Sequence, residues 1–225
     1  MKPIVLLLFC WIALSTGQAQ TADSLLLNKD FIFEEGVYLS FGNWQQNRPD
    51  IAWENLDGNL VINPRTGMAR VEYLRQTETG DTLDLENAWG LVYDGTPYIR
   101  LPTDSVPSPL STFAAIKVRG KLCFFSYETR VTRLIPMAAV NPVTGTAFRR
   151  ATVERTQTER RERLLDFGTG EIVPFNQHHL LQRTADDRGI TRTIEWIEPA
   201  ELSEKLYKCL LIYDDRNPVY VGRDH

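Results

Sequence analysis

The stretch Thr112–Val131, TFAAIKVRGKLCFFSYETRV, decides the fold. Two apolar-rich runs, Thr112–Val118 and Lys121–Val131, flank Arg119-Gly120, which reads as a β-hairpin. The return run holds Leu122, Cys123, Phe124 and Phe125 in succession. A strand with one face in water alternates apolar and polar residues. Four apolar residues in a row therefore require cover on both faces.

Working outward, the same hairpin logic repeats. Asn87–Tyr93 and Thr96–Leu101 flank Asp94-Gly95, a pair that tolerates the positive φ of a tight turn. Pro97 lacks an N–H and pushes the second strand toward an edge. Gly36–Phe41 predicts a short strand with Val37, Leu39 and Phe41 on one face, and Met68–Arg75 alternates again. Downstream, the polar, β-branched run Ala147–Phe167 turns at Gly168-Thr169-Gly170 into Glu171–Val173, another hairpin.

The period then changes. Pro199–Tyr213 places Leu202, Leu206, Cys209, Leu210 and Tyr213 on one helical stripe, with Glu201–Lys205 and Glu204–Lys208 at favourable spacing. Asp214, Asp215, Asn217 and Pro218 are expected to stop that helix, and Phe175–Arg183 predicts a shorter one. The fold class is α+β: a mostly antiparallel sheet built of hairpins, with one or two helices toward the C-terminus. The expected organisation is one domain over residues 20–225, with a linker candidate at 102–109, where Pro102, Ser105, Pro107, Ser108 and Pro109 suit neither ladder nor helix.

The first residues read as an export signal. Lys2 is the only charge among residues 1–19, and the apolar run Ile4–Leu14 is shorter than the roughly 20 residues of a membrane span. Small residues at Gly17 and Ala19 suit signal peptidase, placing cleavage after Ala19. A lipoprotein anchored at Cys10 is disfavoured by the bulky Phe9. No other stretch is apolar and long enough to span a bilayer as a helix. The mature chain then works in the periplasm or at the cell surface.

Composition narrows the classes further. With 43% hydrophobic residues the chain can build a core. A net charge of −4 gives no global attraction for nucleic acid. Cys123 and Cys209 remain after cleavage, either as a disulfide or as two buried thiols. His178 and His179 are adjacent, a spacing that aims them apart rather than at one metal. Asp186-Asp187 and Asp214-Asp215 read as solvated turn carboxylates, lacking the rest of a calcium loop. Arg149–Arg163 holds six arginines and three glutamates without interleaved aromatics, the solvent side of a hairpin.

No nucleophile elbow, phosphate loop, dinucleotide fingerprint or paired-histidine zinc motif occurs. Cys123 lies in an apolar run, where burial blunts a thiol. Trp44, Trp53, Trp89 and Trp196 suit a β-rich core better than a ligand platform. The place to look for a site is Trp44, Asn47, Arg48 and Trp89, beside predicted turns, although turn and core chemistry accounts for them. The reading therefore assigns no catalytic, cofactor-binding or metal residue.

GVYLSFGNWQQNRPDI (Gly36–Ile51), AWGLVYDGTPYIR (Ala88–Arg100), LLDFGTGEIVPF (Leu164–Phe175) and YDDRNPVY (Tyr213–Tyr220) occur in this order. Together they resemble a family of uncharacterised exported proteins of Bacteroidota. The resemblance implies a cell-envelope setting and brings no activity, cofactor or catalytic residue. The expected function is a non-enzymatic envelope protein that binds an envelope protein, peptide or glycan, or serves as a structural domain. A hydrolase of envelope polymers with unidentified carboxylates is the alternative, and a lipid carrier would need a large apolar cavity. Export predicts that N-terminal sequencing of the protein from an envelope fraction begins at Gln20; a chain still beginning at Met1 would refute the cleavage.

Overall fold

The computed structural model describes residues 23–106, 108–140, 142–145 and 147–223; the expected signal segment 1–19, Pro107 and His225 lie outside them. In chain order the strands and helices are β1 (Asp23–Leu26), β2 (Gly36–Tyr38), α1 (Phe41–Gln45), β3 (Ile51–Ala52), β4 (Leu56–Asn63), β5 (Met68–Gln76), β6 (Gly90–Tyr93), β7 (Thr96–Arg100), β8 (Ser111–Val118), β9 (Leu122–Val140), β10 (Ala147–Asp166), β11 (Ile172–Pro174), α2 (Gln177–Arg183), α3 (Arg188–Glu195), α4 (Leu202–Arg216) and β12 (Tyr220–Arg223). Every strand pairing among the described residues is antiparallel. The fold is α+β.

Strand β8 organises the sheet. Its first half lies between β5 and β7, while its second half pairs β9 across an irregularity at Ile116/Val118. The chain thus leaves one sheet and enters another within a single strand. The hairpin at Asp94-Gly95 forms as expected, with φ of 49° and 64°. Pro97 does not make β7 an edge. That strand lies between β6 and β8, and its pairing to β8 starts at Tyr98, one residue past the missing N–H.

Alternation fills three apolar layers. Tyr38, Val92, Ile99 and Ala114 face one core, while Val37, Leu91, Tyr98 and Phe113 face another on the opposite side of the same sheet. On β9, Cys123, Phe125 and Tyr127 enter the first of these cores, whereas Leu122 and Phe124 point the other way, onto the helices. The four-residue apolar run is buried on both faces, as its sequence requires. Leu206, Cys209, Leu210 and Tyr213 form the buried stripe of α4.

Other expectations are corrected. Strand β2 ends at Tyr38, so Leu39 is exposed and Phe41 starts α1; the Ser40 side chain caps that helix by accepting the Asn43 N–H at 3.1 Å. Helix α4 continues through Asp214 and Asp215 to Arg216, and Pro218 follows its end. Helix α3 was not anticipated, because only Ile190 and Ile194 are buried along it. Its start is fixed by Asp187, whose side chain accepts the Gly189 and Ile190 N–H groups at 2.9 and 3.0 Å. Cys123 and Cys209 are free thiols in different cores.

The shared wall predicts an uneven stability map. Phe125→Ala should cost about 3–5 kcal/mol in urea unfolding. Leu134→Ala, on the exposed part of the same strand, should stay within about 0.5 kcal/mol. Equal losses would show that the exposed part is packed in solution.

Candidate functional site

Strands β9 and β10 run 19 and 20 residues, far beyond the sheet they start in. Their ladder continues from Asp166↔Leu122 to Ala147↔Val140. Strand β8 pairs with β9 only at Phe124 and Phe125, and β11 pairs with β10 only at Leu165 to Arg163. Past Thr129 no third strand pairs with either among the described residues. The remaining length, from Arg130 to Val140, is a two-stranded ribbon of about 35 Å at the usual rise of about 3.3 Å per residue.

The register sorts its side chains. Ile135 lies opposite Val153 and Met137 opposite Ala151 on one face, with Arg133 and Arg155 opposite each other nearer the root. Leu134 and Pro136 lie on the other face, opposite Glu154 and Thr152. Leu134, Met137 and Val153 are 66%, 57% and 45% exposed. Pro136, Met137, Ala138, Ala151 and Thr152 line a shallow groove of about 460 Å³ in the twisted ribbon. Pro136 interrupts no pairing, so its missing N–H faces the free edge and blunts strand addition there. Residues 130–158 hold five arginines and one glutamate, +4 in a chain of −4 overall. Arg133 pairs with Glu159, which also holds Arg161 at 3.0 Å; Arg155 has no acidic partner among the described residues.

The root of the ribbon is clamped. Thr129 Oγ1 donates to the Ser105 carbonyl at 2.5 Å, which ties the expected linker loop to the ribbon, and Val106 of that loop is buried in the core. At the start of β9, away from the root and on the helical side, Asp214 Oδ1 accepts the Leu122 N–H at 2.9 Å. Gly120 permits this approach, because a Cβ there would lie 2.5 Å from the Asp214 carboxyl carbon. Lys121 Nζ binds Asp186 at 2.7 Å, and Asp186 also accepts the Tyr213 hydroxyl at 2.8 Å. Asp187 pairs with Arg216 at 3.2 Å. Three of the four acids expected to be solvated turn residues are therefore structural partners, because α4 continues far enough to bring Asp214 against the hairpin turn.

Of the residues singled out in sequence, Trp44 and Asn47 are core, Trp89 is half-buried against it and Arg48 is exposed. Trp44 is buried, with its ring 4.8 Å from Phe33, 4.7 Å from Trp89 and 5.3 Å from Phe167. Asn47 is buried at φ 54°, and its Oδ1 accepts the Glu34 N–H at 2.7 Å and the Tyr38 hydroxyl at 3.3 Å. Arg48 is exposed, and its N–H donates to the Asn43 carbonyl at 2.9 Å. The structure brings Trp44 and Trp89 together as packing, not as a platform. His178 and His179 sit on α2, and the His179 N–H is capped by Asn176 at 2.9 Å. Among the described residues no group of three or more His, Cys, Asp or Glu could hold a metal ion, and no helix is long and apolar enough to cross a membrane.

This ribbon, the arm of the molecule, was missed in sequence because Leu134–Val140 does not alternate and contains Pro136, which demotes a strand reading. The usable signal was the long polar, β-branched run of β10, which needs a partner of equal length. The chain matches no protein-family model, no curated protein and no solved structure.

Burial pushes the Asp214 carboxyl up to about 7, and its Oδ2 has no hydrogen-bond partner among the described residues. A raised acid holds a proton in the fold that the unfolded chain has released. This group's contribution is therefore fully present below about pH 4 and is lost as pH rises toward 7, by at most about 1.4 kcal/mol per unit. Asp214→Asn should gain stability over the parent between pH 4 and 7 in denaturant titrations. Parallel pH profiles for the two proteins would show that Asp214 is not the titrating group.

Proposed function

We propose that this chain is an exported cell-envelope protein without catalytic activity, a binding or structural domain that engages a protein surface through the β9–β10 arm. The observation that carries the reading is the arm itself. Isolated two-stranded hairpins are marginal in water, yet this one extends about 35 Å from its clamp with apolar side chains on both faces. An exposed ribbon of this kind gains most when a second surface covers it. The signal-like N-terminus and the resemblance to exported Bacteroidota proteins support the envelope setting.

Nothing in the described grooves favours the hydrolase alternative. Lys117 Nζ donates to Ser126 Oγ at 2.8 Å, a pairing that can activate a serine, but Ser126 is only 2% exposed, so a substrate carbonyl has no approach. Glu72, Asp84 and Glu86 line a shallow groove of about 170 Å³, with Glu72 accepting from Asn59 and Asp84 from Asn87.

The test is a photo-crosslinking residue at Met137 in the producing cells, followed by fractionation. A discrete adduct in the envelope fraction is expected, and none from the same residue at Gln177 on the helical layer. If Met137 crosslinks to no protein, the arm is not the contact element.

A further inference from the structure

We infer that the surface covering the arm is the body of a second copy of this chain, so that two copies exchange arms across a two-fold axis. The inference rests on the reading of the arm as the contact element and names its occupant.

Charge is the first argument. The outer arm, residues 130–158, carries +4, and the rest of the chain carries −8. That acidity is concentrated ahead of the arm, in residues 23–110, which hold fourteen acids against six bases. A basic arm meeting an acidic body is attractive in both halves of a symmetric pair, whereas arm meeting arm sets like charges together. Arg133 and Arg155 already stand opposite each other on the apolar face, and among the described residues only Arg133 has a carboxylate. An arginine in that position calls for an acid from outside.

A receiving surface exists on the body. Glu72, Tyr73, Asp84 and Glu86 line a groove completed by Pro109, Leu110 and Ser111. Val61 and Tyr73 stand exposed on the same β4–β5 hairpin, with Val61 opposite Arg70 and the Arg75 guanidinium over the Tyr73 ring, so the carboxylates of the groove lie next to an apolar area edged by two arginines. The loop that supplies Pro109 also supplies the Ser105 carbonyl that pins the arm root. Root and groove therefore flank one loop, the arrangement in which an isologous contact gives and receives at once.

Area is the third argument. One face of a ribbon about 35 Å long and about 10 Å wide is roughly 350 Å². Arm against arm would hide only that much per copy, less than half of the roughly 800 Å² of a standard interface. Exchange hides the arm face and an equal receiving area, roughly 700 Å² per copy, close to the standard.

Sedimentation velocity of the purified full chain tests this. The chain should sediment as a dimer at about 50 µM and dissociate as salt rises from about 0.05 to 0.5 M. Arg155→Glu should raise the dissociation constant at least about tenfold, as should Met137→Glu. Adding Glu72→Arg and Asp84→Arg to Arg155→Glu should restore the dimer, which a merely misfolded variant would not do. A monomer at about 200 µM in low salt overturns the inference, as does a dimer indifferent to both arm variants. Either result leaves the arm reading standing on its own test, since that reading fails only when Met137 crosslinks to nothing in the cell.

Discussion

The structure depends on one stretch of strand that is buried on both sides. Leu122 and Phe124 face the helices, and Cys123 and Phe125 face the sheet core. Removing the helices would leave Leu122 and Phe124 in water, and removing the sheet core would leave Phe125 and the smaller Cys123, at about 1.5–3 kcal/mol for each of the large side chains. The helices and the sheet therefore cannot be stable apart from this wall. Burial also decides the chemistry there. It pushes the Cys123 thiol up to about 12, so the sulfur acts as a packing atom rather than a nucleophile.

The wall also explains how an arm can project. Leu164 and Leu165 of β10 are buried beside Phe124 and Cys123, so the first pairs of the ladder are held by packing from both sides. Thr129 adds a hydrogen bond at the root, and Asp214 adds one at the start of β9. Beyond that point the ladder hydrogen bonds continue without cover. Stability is graded along the two strands, high at the wall and low toward the turn, and the low-stability end carries the apolar and cationic side chains. An element that is expensive to leave uncovered is economical only when something else covers it, which ties the arm's exposure to its use.

Much of the fold was legible from local chemistry. The Asp94-Gly95 turn, the stripe of α4 and the doubly covered run of β9 each follow from period or backbone preference within about ten residues. The readings that failed concern neighbours distant in sequence. Pro97 looked like an edge residue because its missing N–H is visible in sequence, while the point where β8 starts pairing is not. Asp186 and Asp215 are exposed as expected, but nothing local places Asp214 against Gly120 or gives Asp186 its partners Lys121 and Tyr213.

The candidate site divides the same way. The sequence by itself determined the hairpin turns, the apolar stripes, the excess of arginine between Arg149 and Arg163, and the lack of a recognisable catalytic motif, because these are properties of residues close together in the chain. Only the tertiary structure decided that β9 continues past Pro136 to match β10, that this ribbon leaves the sheet uncovered, and that Trp44 and Asn47 are core. The physical reason is that covering a surface is a non-local event. A residue's own chemistry states whether it should be buried, but which partner arrives, or fails to arrive, is settled by the packing of the whole chain.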